Sequence, residues 1–113
     1  MGMIYNHVTL VYDFNIKRLE PLRKKAIELF SPLLERDSDI KTDGEFVSQI
    51  FTSPINNESF FIISTDGSKI GWEANSEYQE VRKIFVGYCE EYGVMQIATI
   101  EFGDNDSPII TDY

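Results

Sequence analysis

The sequence predicts an α+β sandwich, a single antiparallel sheet with two helices on one of its faces. Two observations carry that expectation. Two long segments repeat apolar residues at three- and four-residue steps, and four shorter segments between and around them are rich in β-branched and aromatic residues. The chain has 113 residues, 42% of them hydrophobic and 13% aromatic, enough for one domain over residues 1–113 with a core of its own.

The first segment, "MIYNHVTLVYDF", reads as a strand. Ile4, Val8, Leu10 and Tyr12 share one face, and Tyr5, His7, Thr9 and Val11 share the other. Asp13 or Asn15 can cap the helix that follows. In "IKRLEPLRKKAIELFSPLLERD" the apolar line runs through Leu19, Leu22, Ala26, Leu29 or Phe30, and Leu33. Proline suits a first helical position and disrupts an interior one. The helix is therefore expected to begin near residues 19–21 and to break near residue 31, where Ser31 can cap a segment starting at Pro32.

"DSDIKTDGEF" is a loop without calcium-loop spacing: from Asp37 the fifth and sixth positions are Lys41 and Thr42, and from Asp39 the third is Lys41. "EFVSQIFT" and "SFFIIST" follow as strands joined by "SPINNE". The second is apolar on both faces and belongs inside the sheet. Asp66-Gly67 signals a tight hairpin leading to a short strand "KIGW". In "NSEYQEVRKIFVGYCEEYG", Ser76 and Gln79 have capping-box spacing, and Val81, Ile84, Phe85, Tyr88, Cys89 and Tyr92 form the apolar stripe before Gly93 stops the helix. "VMQIATIEF" is the last expected strand. The order β-α-β-β-(β)-α-β is that of a ferredoxin-like sandwich, an architecture that hosts many unrelated activities.

Chemistry-bearing motifs are scarce. His7 is the single histidine and Cys89 the single cysteine, so a thiol-based zinc site or a disulfide within the chain is excluded. There is no phosphate-binding glycine loop, and no cofactor, metal site or catalytic residue is assigned. The five bases of "IKRLEPLRKK" read as a solvated helix face. The N-terminus lacks the features of a signal peptide, and no apolar run is long enough for a membrane span, so a cytoplasmic protein is expected.

Charge is the more informative property. The net charge is −9, and residues 57–113 carry eleven acids against three bases, net −8, whereas residues 1–56 carry eight against seven, net −1. Nucleic acid and anionic membrane are therefore unsuited as direct partners. Two features break local rules. Glu90 and Glu91 fall in the last turn of the second helix, where the helix dipole disfavours anions, and Gly87 weakens the helix interior beside them.

Two functional expectations follow. In the first, the protein binds and restrains a basic protein, as an inhibitor, immunity protein or nucleic-acid mimic would, through Glu90, Glu91, Glu101, Asp104 and Asp106, with Tyr88 or Tyr92 as anchors. In the second, the helices leave one sheet face open, and Tyr5, His7, Thr9 and Tyr12 line a small-molecule or catalytic site there. That partly apolar face would suit a second copy of the chain, or the C-terminal segment folded back with Ile109 and Ile110 as plugs.

Overall fold

A computed structural model describes residues 5–68, 71–103 and 106–112, with Tyr5 and the last of these stretches as backbone only. Strand β1 (Tyr5–Asp13) leads into helix α1 (Ile16–Asp37), followed by β2 (Phe51–Thr52), β3 (Ser59–Ile63), helix α2 (Glu73–Tyr92), β4 (Gln96–Gly103) and β5 (Asp106–Asp112). The strands form one sheet in the order β2-β3-β1-β4-β5, antiparallel throughout. This is the expected α+β class, extended by a fifth strand. Neither helix is long and apolar enough to cross a membrane.

Helix α1 is unbroken, contrary to expectation. Asn15 caps it, its Oδ1 accepting the Lys17 N–H at 2.9 Å. Pro21 and Pro32 both lie inside it and both are exposed. The carbonyls they leave without a donor belong to Lys17 and Glu28, also exposed residues, where water can replace the lost hydrogen bond. Ser31 starts no new segment; its hydroxyl donates back to the Ile27 carbonyl at 2.6 Å. The buried line runs Leu19, Leu22, Ala26, Phe30, Leu34, and Leu33 is only partly buried.

Helix α2 begins four residues earlier than the capping-box spacing implies. Trp72 stands at its N-cap and makes no side-chain capping bond, so Ser76 and Gln79 are already within the helix. Gln79 instead donates to Asn75 Oδ1 at 3.1 Å. The buried side is Asn75, Tyr78, Arg82, Phe85, Val86 and Cys89, while Ile84 and Tyr88, expected in the stripe, are exposed. Gly93 closes the helix at φ 81°, a conformation that glycine adopts without steric cost.

Both helices share one core with the sheet. Phe30 stacks on Tyr78 and tilts against Phe46, and Phe61 meets Phe85 edge-on at 6.4 Å. The sheet face beneath them is the odd-numbered side of β1: His7, Thr9, Val11 and Asp13 are all buried. This reverses the expectation that His7 and Thr9 lie on the open face, away from the helices. The open face carries Val8, Leu10 and Tyr12, with Phe60 and Ile62 opposite Tyr12 and Leu10 on β3.

The connections differ as well. Residues 46–47 approach β3 through a single bridge from Val47 to Ile63, leaving β2 only two residues long. The tight turn falls at Asn56 and Asn57, with φ of 70° and 54°, where asparagine tolerates the left-handed region better than most residues. At Asp66-Gly67 only the glycine has positive φ, so no type I′ turn forms there. Of "KIGW", residues 69–70 lie outside those described, and Gly71 and Trp72 form a turn and the α2 cap. The C-terminal segment is no plug: it pairs with β4, setting Thr111 opposite Thr99 and Ile110 opposite Ile100. Pro108 fits there because β5 is an edge.

Candidate functional site

The site is a cleft between α2 and the β1–β4 pair, with a cavity of about 300 Å³ lined by His7, Gln79, Arg82, Lys83, Val86, Gly87, Glu90, Thr99 and Glu101. Its floor follows from strand register. His7 lies directly opposite Glu101, and Thr9 opposite Thr99, and the alternation of side chains sends both pairs to the helix side. His7 Nε2 is 3.0 Å from Glu101 Oε1, and the two threonine hydroxyls are 3.1 Å apart.

The wall follows from helix periodicity. Residues 79, 82, 83, 86, 87 and 90 recur at steps of three and four and so share one side of α2. Arg82 is 5% exposed. Its Nη1 donates to Thr9 Oγ1 at 3.0 Å, its Nη2 to the Ser64 carbonyl at 2.9 Å, and its guanidinium carbon lies 5.7 Å from the centre of the Phe30 ring. Burial pushes its pKa down to about 10, with Asp66 opposing the shift. Among the described residues no ion pair includes Arg82, Lys83 or Glu90. A Cβ placed on Gly87 would meet no atom within 4 Å, so open space stands over that residue and close packing does not explain its choice.

The residues expected to act divide between places. Glu90 and Glu101 both line the cleft, and Glu101 is engaged by His7. Glu91 is exposed on α2 outside the cleft lining. Asp104 lies outside the described residues, and Asp106 is placed only as the backbone partner of Gly103. From the second set, His7 lines the cleft and Thr9 reaches it through Thr99 and Arg82. Tyr5 is described only as backbone, also paired with Gly103. Tyr12 is on the opposite sheet face, 6.2 Å from the Phe14 ring, so the four do not form one site.

Tyr88 and Tyr92 have partners within the chain. Lys25 Nζ sits 5.3 Å from the Tyr88 ring centre, and the Arg18 guanidinium 5.1 Å from that of Tyr92. Arg18 also donates to the Gly93 carbonyl at 2.9 Å, bringing a cation to the α2 C-terminus that the sequence of α2 itself lacks. Cys89 is fully buried beneath this end, and burial, reinforced by the Glu90 charge, pushes its thiol up to about 12. It is packing, not a nucleophile.

Sequence reasoning missed Arg82, Thr99 and Gln79. The signal for Arg82 was present: it sits four residues after Tyr78 and three before Phe85, inside an apolar line. Among the described residues no group of three or more His, Cys, Asp or Glu side chains could hold a metal ion.

Neither protein-family models nor curated proteins match the chain. Among solved structures, a phage SAM lyase in complex with S-methyl-5'-thioadenosine aligns over 100% of this chain and 92% of its own, with 14% identity and a TM-score of 0.47. A likeness of that degree carries no argument about this chain.

Proposed function

We propose that the protein binds a small polar ligand in the cleft between α2 and the β1–β4 pair. One observation carries this reading. Three positions that run against the stability of α2 line the cleft together: Arg82 as a buried cation without an ion pair, Gly87 as an interior glycine, and Glu90 as an anion in the last turn; a fourth, Glu91, lies outside it. Departures from local rules gather where function requires them. The volume lies at the lower end of the range for small-molecule sites. The test is amide chemical-shift mapping of a small-metabolite library against the wild type and Gly87→Leu, which fills the space above residue 87. Hits that shift His7, Thr99 and Glu101 and vanish in Gly87→Leu support the reading. Hits that fall elsewhere, or persist in the variant, reject it.

A second reading, a basic protein partner, is supported by Glu80, Glu90 and Glu91, exposed on α2 without ion pairs among the described residues. Such a surface would bind an oligolysine peptide with strong salt dependence. Binding that is unchanged in a Glu80→Gln, Glu90→Gln, Glu91→Gln triple variant would remove it. Association of two copies would use the face bearing Leu10, Phe60 and Phe51, the last two partly exposed at 36% and 50%. Sedimentation of wild type and Leu10→Glu decides that point: a dimer lost in the variant supports it, and a wild-type monomer excludes it.

A further inference from the structure

We infer that the ligand of the cleft is dipolar, with an anionic group toward Arg82 and Lys83 and a cationic group toward Glu90. The inference rests on the cleft being the binding site.

Lys83 and Glu90, toward opposite ends of the α2 wall, do not neutralise each other, and Glu101 beside the Arg82 end is taken up by His7. Arg82 is buried, yet its acceptors are all neutral: the Thr9 hydroxyl and the carbonyls of Ser64 and Ile63. Lys83, next in sequence and exposed at the rim, has no carboxylate partner among the described residues. A buried cation hydrogen-bonded only to neutral groups, with Asp66 acting on it without an ion pair, still attracts a nearby anion more strongly than it would in water.

Glu90 lies seven residues further along α2, about 10 Å at the helical rise of about 1.5 Å per residue. It too has no ion pair among the described residues, and Glu101 lies toward the other end of the cleft, beside His7 and next along the sheet from the Thr9–Thr99 pair that Arg82 reaches. Between the charged ends are Val86 and Gly87, an apolar stretch that can hold a short chain but cannot compensate either end. A ligand with a single charge would leave one end of the cleft without a counter-ion. A ligand with both charges, separated by a few methylene groups, matches both ends.

The test uses the full chain and three probes in amide-detected titrations: 6-aminohexanoate, which carries both charges, and hexanoate and hexylamine, which carry one each. 6-Aminohexanoate should shift the amides of Gly87, Thr99 and Glu101 and bind roughly tenfold more tightly than either single-charge probe. Lys83→Gln should remove its advantage over hexylamine, and Glu90→Gln its advantage over hexanoate; both changes are on the surface and leave the core intact. Equal affinity for a single-charge probe, or full retention of the advantage in both variants, overturns the dipolar inference and leaves the cleft standing. If none of the three shifts a cleft amide at millimolar concentration, the inference and the cleft reading both fall.

Discussion

Helices α1 and α2 are nearly equal in length, 22 and 20 residues, and lie on the same core, yet they treat local rules differently. Helix α1 has a side-chain cap at Asn15 and a base, Arg36, in its last turn. Its three arginines, Arg18, Arg23 and Arg36, each pair with a carboxylate, respectively Asp13, Asp43 and both Asp37 and Glu77. Helix α2 has no side-chain cap, no base in its last turn, and one arginine that is buried without a carboxylate. The departures in α1, its two prolines, are on the solvent side and serve no common feature. In α2 three departures, Arg82, Gly87 and Glu90, converge on one cleft, although the uncapped start at Trp72 and Glu91 lie outside it. Convergence, more than the number of broken rules, is what marks a site.

The largest effect is expected at the core that the two helices share. Phe30→Ala should cost about 3–5 kcal/mol in urea unfolding, because Phe30 is fully buried and touches Phe46 and Tyr78 while lying under Arg82. A loss below about 1 kcal/mol would mean that the helices do not share this core. Alkaline pH addresses the α2 side. Burial first, then the Glu90 charge, raises the Cys89 thiol to about 12 from an ordinary 9. The folded state thus holds this proton more tightly, so the thiol's contribution to stability is complete below pH 9 and falls away between pH 9 and 12. Cys89→Ala should flatten that part of the stability profile, and an unchanged profile would contradict the burial argument.

Smaller effects should have opposite signs on the two helices. Asn15→Ala removes a working cap and should cost about 1 kcal/mol. Gly87→Ala should gain about 1 kcal/mol, since the helix improves and the new methyl group meets nothing. Glu90→Gln should gain about 0.3–1 kcal/mol at low salt, less at high salt. Denaturant midpoints at constant slope would measure all three. A gain on α1 or a loss at Gly87 would erase the contrast.

Much of this architecture was legible in the sequence, because strand and helix periods are local properties. The faces were harder. Both sides of β1 contain apolar residues, so alternation separated Val8, Leu10 and Tyr12 from His7, Thr9 and Val11 without saying which set the helices cover. Covalent order could not reveal that His7 and Glu101, 94 residues apart, are register partners. The prolines misled because their cost depends on whether the orphaned carbonyl reaches water, a tertiary fact. Gly87 and Glu90 stood out as costly positions from helix rules alone, although Arg18 donating to Gly93 softens the acidic helix end. Arg82 was overlooked because a charge was assumed to be solvated, although its place in the apolar line argued otherwise. Strand β5 was missed because a proline beside two isoleucines reads as a tail unless an edge is available.

The most direct test of the account joins its two halves in one variant. Gly87→Ala with Glu90→Gln should be more stable than the wild type by about 1–2 kcal/mol and should bind 6-aminohexanoate more weakly in the same buffer. A variant that is no more stable, or that is more stable and binds the probe as well as the wild type does, would contradict the claim that α2 gives up stability to form a binding cleft.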